Sequence, residues 1–427
     1  VLRLPAAAAA AGIVLLCGLC AREFGGGRFA QTLAAGTIAV GTLTLVSGHL
    51  LVTSSLDLLF WVALTWIAVR LLGGAGSWWW LVFGVVAGLG LLNKQLPVVL
   101  LAGLFLGLLL TPSARGLLRS VWPWVAVAIA AAMWTPVLVW QAQHDWPQLT
   151  LAGQIRDEYG APGERVAFVV LQFVIFSLGA TYLWLRGLAA LWRDPAWRTF
   201  RVLAWAWLFA LAFFLVTAGQ PYYPAGVWPV LVAAGAVVVE RGRRRWVPVA
   251  AVVASSALML PAALPLLPPG TFGDSVYADL VDPALDTIGW PEFTDQVAAA
   301  VETIPVTRRG RAVIVTSNYG EAGAIDHFGP QRGLPRAWSG HNGYGLWGPP
   351  PEGRPSTYSA SAGPAPVVVV WQDGAPSEFF AGCREFGPVT NDHGVANEES
   401  ERAVIYVCDG PAGRWDTIWP QLVHLSS

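Results

Sequence analysis

The chain has 427 residues, of which 55% are hydrophobic and only 12% are charged. Soluble domains carry roughly 25% charged residues, so this composition excludes an ordinary soluble protein and indicates a membrane protein. The formal net charge of -1 gives no sign of a basic nucleic-acid-binding surface, and no nucleic-acid partner is expected.

About ten hydrophobic runs are long enough to predict membrane-spanning helices, because about 20 helical residues cross the hydrocarbon core of a bilayer. These runs lie at residues 4–21, 29–49, 56–73, 77–93, 96–112, 121–141, 166–186, 200–217, 223–240 and 246–265. The pattern predicts a polytopic α-helical membrane domain.

Arginines follow the odd-numbered runs, whereas the connections after even-numbered runs carry few of them. The arginines are Arg22, Arg28, Arg70, Arg115, Arg119, Arg186, Arg193, Arg198, Arg201 and those of ERGRRR at 240–245. Because arginine-rich short loops favour the cytoplasmic side, the odd-numbered runs should end inside a plasma (inner) membrane. This multi-pass scheme puts Val1 outside, so we expect that an N-terminal helix and the first external loop are missing from the sequence. It also puts the C-terminal region outside.

The composition changes at PLLPPGTFGDSV (265–276), where the long hydrophobic runs stop. We therefore expect a transmembrane domain over 1–267 and an external domain over 268–427. The external region predicts helices at 289–304, from Asn318 to 329 and at 414–425, and strands at 311–317, 366–371 and 402–408. Helices alternating with short β-branched strands predict a small α/β domain.

The four cysteines fall into two pairs. Cys17 and Cys20 lie within the first predicted helix and are interpreted as small buried hydrophobic residues. Cys383 and Cys408 lie in the external region, where they could either form a disulfide or stay free.

Polar side chains collect at the predicted outer ends of the helices. In GHLLVTSSLDLLFW (48–61), His49 and Asp57 stand between two apolar runs. Asp57 could touch interfacial water or cap a helix, or it could belong to an external site. Lys94 is the only lysine in the chain and follows the fourth run. It could extend to the interface as an amphipathic side chain, or it could bind the phosphate of a lipid head group.

Two further external connections add candidate substrate-binding residues. The loop after the sixth run contains His144 and Asp145, and the turn AGQPYYPAGVWP (218–229) contains Gln220, Tyr222 and Tyr223. Acids, a cation, aromatic rings and amides together are the mixture of side chains that binds sugars.

Four segments, GHLLVTSSLDLLFW, GLGLLNKQLPVVLL, PVLVWQAQHDWPQ and AGQPYYPAGVWPVLVAAG, resemble those of GT-C membrane glycosyltransferases. The branch resembled is that of bacterial protein O-mannosyltransferases and aminoarabinose transferases. The resemblance implies a GT-C-like helical bundle and an inverting hexosyl or pentosyl transfer. It also implies a polyprenyl-phosphate sugar donor and a protein, lipid or cell-envelope glycan acceptor at the outer membrane face.

The resemblance also implies roles for individual residues. Asp57 matches the second acidic position of the family, and Lys94 matches the basic position of a Thr-Lys motif in which Asn93 replaces the threonine. The principal acidic motif lies in the first external loop, which this sequence lacks, so the catalytic base is unknown and Asp57 is the only candidate. His144 lies where the family places polar residues of an external loop.

Two other functions stay open at this point. A transporter or flippase of lipid-linked saccharides would place charges near helix centres, and a non-catalytic membrane scaffold would only display the external domain.

The segment SGHNGYGLWG (339–348) could bind a glycan through Asn342, Tyr344 and Trp347, or it could be a plain glycine-rich surface loop. No cofactor is predicted, no strong metal-ligand spacing appears, and a divalent metal stays open.

Overall fold

The structure is a computed structural model that describes residues 3–351, 364–372 and 374–425. The chain divides into two compact units, Val1–Leu264 and Pro265–Ser427. The first unit is a bundle of helices, and the second unit contains a five-stranded sheet with helices packed against it.

The helices of the first unit are joined by short connections. They are α1 (Leu4–Glu23), α2 (Arg28–Ala39), α3 (Thr42–His49), α4 (Thr53–Leu72), α5 (Trp79–Asn93), α6 (Pro97–Leu110), α7 (Trp122–Gln143), α8 (Pro147–Glu158), α9 (Pro162–Leu171), α10 (Leu178–Arg193), α11 (Arg201–Thr217), α12 (Trp228–Glu240) and α13 (Trp246–Ala263). Among the described residues, six helical segments are long and apolar enough to cross a membrane, or seven if the bent pair α2–α3 is one span. The predicted polytopic helical membrane domain is confirmed.

The single spanning helix predicted at 166–186 is wrong, because the chain leaves the helical conformation between α9 and α10. A second break separates α2 from α3, whose axes differ by 57°. The two breaks contact each other: the Thr42 N–H donates to the Phe176 carbonyl at 2.9 Å, and the Leu43 N–H donates to the Ile175 carbonyl at 3.2 Å. Irregular backbone at membrane depth is tolerated where protein groups satisfy it, so each break supplies partners for the other.

Helices α10 and α12 approach each other until their backbones are in contact. A Cβ atom on Gly187 would lie 2.0 Å from the Leu231 carbonyl oxygen, and one on Gly235 would lie 1.9 Å from the Leu183 carbonyl oxygen. Small residues permit such close helix packing in membranes. The contact fixes α12 and therefore also the short 3-10 helix Tyr223–Val227 that leads into it.

In the described part of the second unit, seven strands combine with short helices. The helices are α14 (Pro269–Gly273), α15 (Trp290–Glu302), α16 (Val306–Arg309), α17 (Tyr319–Phe328), α18 (Asn342–Gly345), α19 (Glu398–Arg402) and α20 (Trp415–Leu422). The strands are β1 (Val313–Thr316), β2 (Ala337–Ser339), β3 (Val367–Trp371), β4 (Phe380–Ala381), β5 (Arg384–Pro388), β6 (Val404–Cys408) and β7 (Gly410–Pro411).

The main sheet has the strand order β2-β1-β3-β6-β5. Strand β1 runs parallel to β2 and β3, whereas β6 is antiparallel to both β3 and β5. Alternate residues of β3 enter two different cores: Val368 and Val370 pack on one face of the sheet, and Val367 and Val369 pack on the other. The predicted small α/β region is confirmed.

The structure shows which cysteines are disulfide-bonded and which are free. Cys383 and Cys408 form a disulfide that joins the residue before β5 to the end of β6. Cys17 and Cys20 are free and fully buried in α1, as their interpretation as small hydrophobic residues requires.

Candidate functional site

Three helix termini meet at the position of the candidate residues. Helix α4 begins at Thr53 and packs beside α5, which ends at Asn93, and the 3-10 helix Tyr223–Val227 packs against α4. The side-chain amide of Asn93 donates to the Thr53 carbonyl at 2.9 Å, which ties the end of α5 to the start of α4. The residue after α5 is therefore held beside the first turn of α4.

Lys94 occupies that position. Its Nζ donates to the Ser54 hydroxyl oxygen at 3.0 Å, and it lies 4.8 Å from the centre of the Tyr223 ring and 5.6 Å from that of the Tyr222 ring. Both ring distances are within the range of cation–π attraction. The Ser54 hydroxyl also lies 3.4 Å from the Tyr222 hydroxyl. The ammonium group is thus positioned by one hydroxyl and two aromatic rings.

Asp57 lies one turn after Ser54, on the same face of α4. Its side chain is only 6% exposed and lies within electrostatic range of Lys94. Its Oδ1 atom makes no hydrogen bond among the residues that the structure describes, and the indole N–H of Trp61, which is close enough to stabilise the charged carboxylate, makes none either. A buried carboxylate oxygen without a partner is costly, so this atom is suited to accept a hydrogen bond from a ligand.

Two interpretations of Asp57 that the sequence left open are therefore wrong. Helix α4 begins at Thr53 and has no acidic residue in its first turn, so Asp57 does not cap it. Nor is Asp57 an interface residue in contact with water, because its side chain is buried. The predicted run began at residue 56, three residues too late, and this placed Asp57 at the helix end instead of one turn inside it.

Close packing holds the tyrosine turn against α4. A Cβ atom on Gly226 would lie 2.3 Å from the Trp61 Cβ atom, so only glycine fits there. The ring of Tyr223 contacts the ring of Phe214 edge-on, with 5.3 Å between their centres. Tyr222 and Tyr223 consequently have fixed positions beside Lys94.

His49 and His144 both engage the backbone of their own helices. The His49 ring nitrogen Nδ1 lies 2.8 Å from the Leu45 carbonyl oxygen at the end of α3. The His144 Nδ1 lies 2.8 Å from the Trp140 carbonyl oxygen, and the His144 ring stacks on that tryptophan at 4.3 Å. These contacts give both histidines a role at a helix end.

Asp145 and Gln220 both lie in backbone turns. Asp145 is exposed and has a positive φ of 57° in the turn between α7 and α8. The carbonyl of Gln220 accepts a hydrogen bond from the Tyr223 N–H at 3.1 Å. Within the described ranges, no group of three His, Cys, Asp or Glu side chains could hold a metal ion.

The structure thus brings together four of the candidate residues and adds one that sequence reasoning missed. The cluster, called here the Lys94 cluster, consists of Ser54, Asp57, Lys94, Tyr222 and Tyr223. Ser54 could have been found from its spacing, since a residue three positions before a helical aspartate lies on the same helix face.

Comparisons with known proteins agree with this architecture. Residues 1–140 match the family model described as dolichyl-phosphate-mannose-protein mannosyltransferase. No curated protein matches the chain. The crystal structure of ArnT from Cupriavidus metallidurans in the apo state has a TM-score of 0.52 and 14% identity, over 95% of this chain and 83% of that one. Residues 1–140 are therefore similar to a mannosyltransferase family, and the chain as a whole shares the fold of ArnT.

Proposed function

We propose that the protein transfers a sugar from a polyprenyl-phosphate donor to a protein, lipid or cell-envelope glycan acceptor at the outer face of the plasma (inner) membrane. The Lys94 cluster is the observation that carries this proposal. Its ammonium and hydroxyl groups are the donors that a phosphate oxygen needs. The family match over residues 1–140 includes Ser54, Asp57 and Lys94.

The reaction is a single displacement with inversion. The acceptor hydroxyl oxygen forms a bond to the anomeric carbon, the bond from that carbon to the phosphate oxygen breaks, and the acceptor proton passes to a base. Lys94 stabilises the negative charge that develops on the departing lipid phosphate. Asp57 accepts a hydrogen bond from a sugar or acceptor hydroxyl, and the rings of Tyr222 and Tyr223 flank the sugar. The base that takes the acceptor proton is left unassigned. Asp57 is the one candidate for it.

The class of donor tests the proposal directly. Membranes that contain the full-length enzyme should transfer a labelled sugar from a polyprenyl-phosphate donor. Transfer from a nucleotide sugar should require both added polyprenyl phosphate and a separate synthase that forms the lipid-linked sugar. Membranes that contain Lys94→Ala protein serve as the matched control. Direct transfer from a nucleotide sugar would contradict the proposal. So would movement of the intact lipid-linked sugar across the bilayer without transfer, because that result describes a flippase.

The orientation of the chain makes a second testable prediction. Because arginine-rich connections favour the cytoplasm, we expect Asp145→Cys and Asp274→Cys to react with a membrane-impermeant maleimide in intact cells. Arg243→Cys, in the connection after α12, should react only after the membrane is opened. Reaction of Asp274→Cys only from the cytoplasmic side would overturn the external location of the second unit. The unsubstituted chain measures the background labelling by maleimide, since its described cysteines are buried or disulfide-bonded.

A further inference from the structure

The second unit contains a crevice where the chain reverses its direction across the sheet. The chain passes from β1 to its parallel neighbour β2, and then crosses to β3 on the other side of β1. Ligands of open α/β sheets bind at the carboxyl ends of the strands that flank such a reversal. Here those ends are Thr316 of β1 and Trp371 of β3.

A cavity of about 690 Å³ opens at these strand ends. Pockets for small organic ligands typically measure about 300–1,000 Å³, so the space suits one or two ring-sized units. Four aromatic side chains form much of its wall, namely Trp290, Tyr319, Trp371 and Phe379. Hydrogen bonds close the strand end of the cavity, since the Gln372 N–H donates to the Ser317 hydroxyl at 3.1 Å and that hydroxyl donates to the Val370 carbonyl at 3.3 Å.

The cavity wall includes a buried carboxylate with an unused oxygen. Glu399 is only 6% exposed, and its Oε2 has no hydrogen-bond partner within the described part of the chain. Burial, together with the nearby charges of Glu398 and Asp286, raises the pKa of this carboxyl to about 7. A buried acceptor without a partner is costly in a folded domain, and a ligand donor would remove that cost.

The charges around the cavity restrict the kind of ligand. The carboxylates of Asp286, Glu398 and Glu399 face it together with Arg402, and the stacked rings of His341 and His424 form another part of the wall. This surplus of carboxylates disfavours phosphates and other anions. Carboxylates accept hydrogen bonds from hydroxyl groups, and aromatic faces pack against the C–H faces of sugar rings.

We propose that this cavity is a saccharide-binding site of the second unit, which takes a neutral, hydroxyl-rich ligand. The site goes beyond the proposed transfer reaction, because the described residues that line it all lie between Asp286 and His424. It also differs from the glycan surface that the sequence predicted at 339–348. Trp347 of that segment is 61% exposed and is not among the lining residues, whereas His341 is.

Saturation-transfer NMR on the full chain tests the proposal. The chain is placed in lipid nanodiscs, because glycosidic detergents would themselves compete as sugars. The probes are mannose, galactose, glucose and N-acetylglucosamine, together with tetramethylammonium and inorganic phosphate. At least one neutral sugar should bind. Tyr319→Ala and Glu399→Gln should each weaken that binding about ten-fold or more, because they remove a packing face and a carboxyl oxygen that accepts hydrogen bonds.

Trp347→Ala is the matched control, since it removes an exposed aromatic ring of the same unit that does not line the cavity. It should leave sugar binding unchanged. Three results would overturn the proposal: no binding of any neutral sugar, binding of tetramethylammonium or phosphate alone, or an equal loss in Trp347→Ala and Tyr319→Ala. None of these measurements depends on transferase activity, so failure of this site and failure of the proposed reaction can be told apart.

Discussion

Replacement of Lys94 by alanine is expected to weaken use of the polyprenyl-phosphate donor by about ten- to a hundred-fold. A charge-assisted hydrogen bond in a partly desolvated site contributes roughly 1.5–3 kcal/mol, and each 1.4 kcal/mol corresponds to about a factor of ten in affinity. Lys94 is the only lysine of the chain, and its Nζ already lies 3.0 Å from the Ser54 hydroxyl. The two groups can therefore contact one phosphate from neighbouring positions.

Conservative substitutions separate a phosphate-binding role from a structural one. Lys94→Arg should be less harmful than alanine, because the charge is kept while its geometry changes. Lys94→Gln can still donate a hydrogen bond to Ser54, but it carries no charge. If the lysine only positions Ser54 or extends to the interface, the glutamine variant should have unchanged kinetics, and the phosphate role would be ruled out.

The measurement is the transfer rate of the full-length enzyme as a function of donor concentration. Thermal unfolding of each variant shows whether a loss of activity reflects a loss of folded protein. Arg119→Ala is a matched control, since it removes an exposed cation from the chain without touching the Lys94 cluster. Its donor dependence should equal that of the unsubstituted enzyme.

The candidate site was partly predictable because polar residues are rare in the membrane domain. Asp57 and Lys94 stand out against apolar runs, and helices that alternate in direction bring their ends together. Ser54 did not stand out, because a serine near the start of a helix is ordinary. The contact of His144 with the Trp140 carbonyl could not be predicted from the sequence either, since it depends on where α7 ends.

The strands of the second unit could likewise be predicted only in part from the sequence. Strands β1, β3 and β6 were predicted because each is a run of β-branched residues, and Asn318 does cap α17 as its sequence indicated. Strand β2 escaped prediction because it has only three residues, and β5 because it is an exposed edge strand that contains Gly387 and Pro388. The break between α9 and α10 was missed because its hydrogen-bond partners lie at the start of α3.

The second unit is expected to lose stability as the pH rises from about 4.5 to about 8, because of Glu321. This side chain is fully buried, and burial raises the pKa of its carboxyl to about 8. The nearby Glu399 and Glu398 act in the same direction, while the hydrogen bond from the Asn318 N–H at 3.0 Å acts against them. The folded protein therefore keeps a proton on Glu321 at pH values where the unfolded chain has released it.

The sign of the effect follows from this difference in bound protons. Where the folded state binds more protons than the unfolded state, the free energy of unfolding falls as the pH rises. The contribution of Glu321 is complete below the ordinary glutamate pKa and is lost by about pH 8. One pKa unit corresponds to about 1.36 kcal/mol, so the total loss is a few kcal/mol.

Glu321→Gln should remove the larger part of this pH dependence and leave the part that Glu399 contributes, since burial raises the pKa of Glu399 to about 7. Glutamine is neutral at every pH, and its side-chain oxygen can still accept the Asn318 N–H, as capping boxes allow. The variant should therefore be less stable or unchanged relative to the unsubstituted chain at pH 5, and more stable at pH 8. Glu302→Gln, on the exposed surface of α15, is the matched control and should keep the original pH dependence.

Hydrogen exchange of the full chain measures the effect in the second unit alone. Protection of the β1 and β3 amides, corrected for the intrinsic pH dependence of exchange, reports the opening free energy of the sheet. In the unsubstituted chain and in Glu302→Gln this protection should fall between pH 5 and pH 8. The fall should be much smaller in Glu321→Gln, because the proton that the folded state retains is no longer there to be lost. An equal fall in all three proteins would assign the pH dependence to groups other than Glu321. Glu399 would then be the next residue to replace, since burial raises its pKa to about 7.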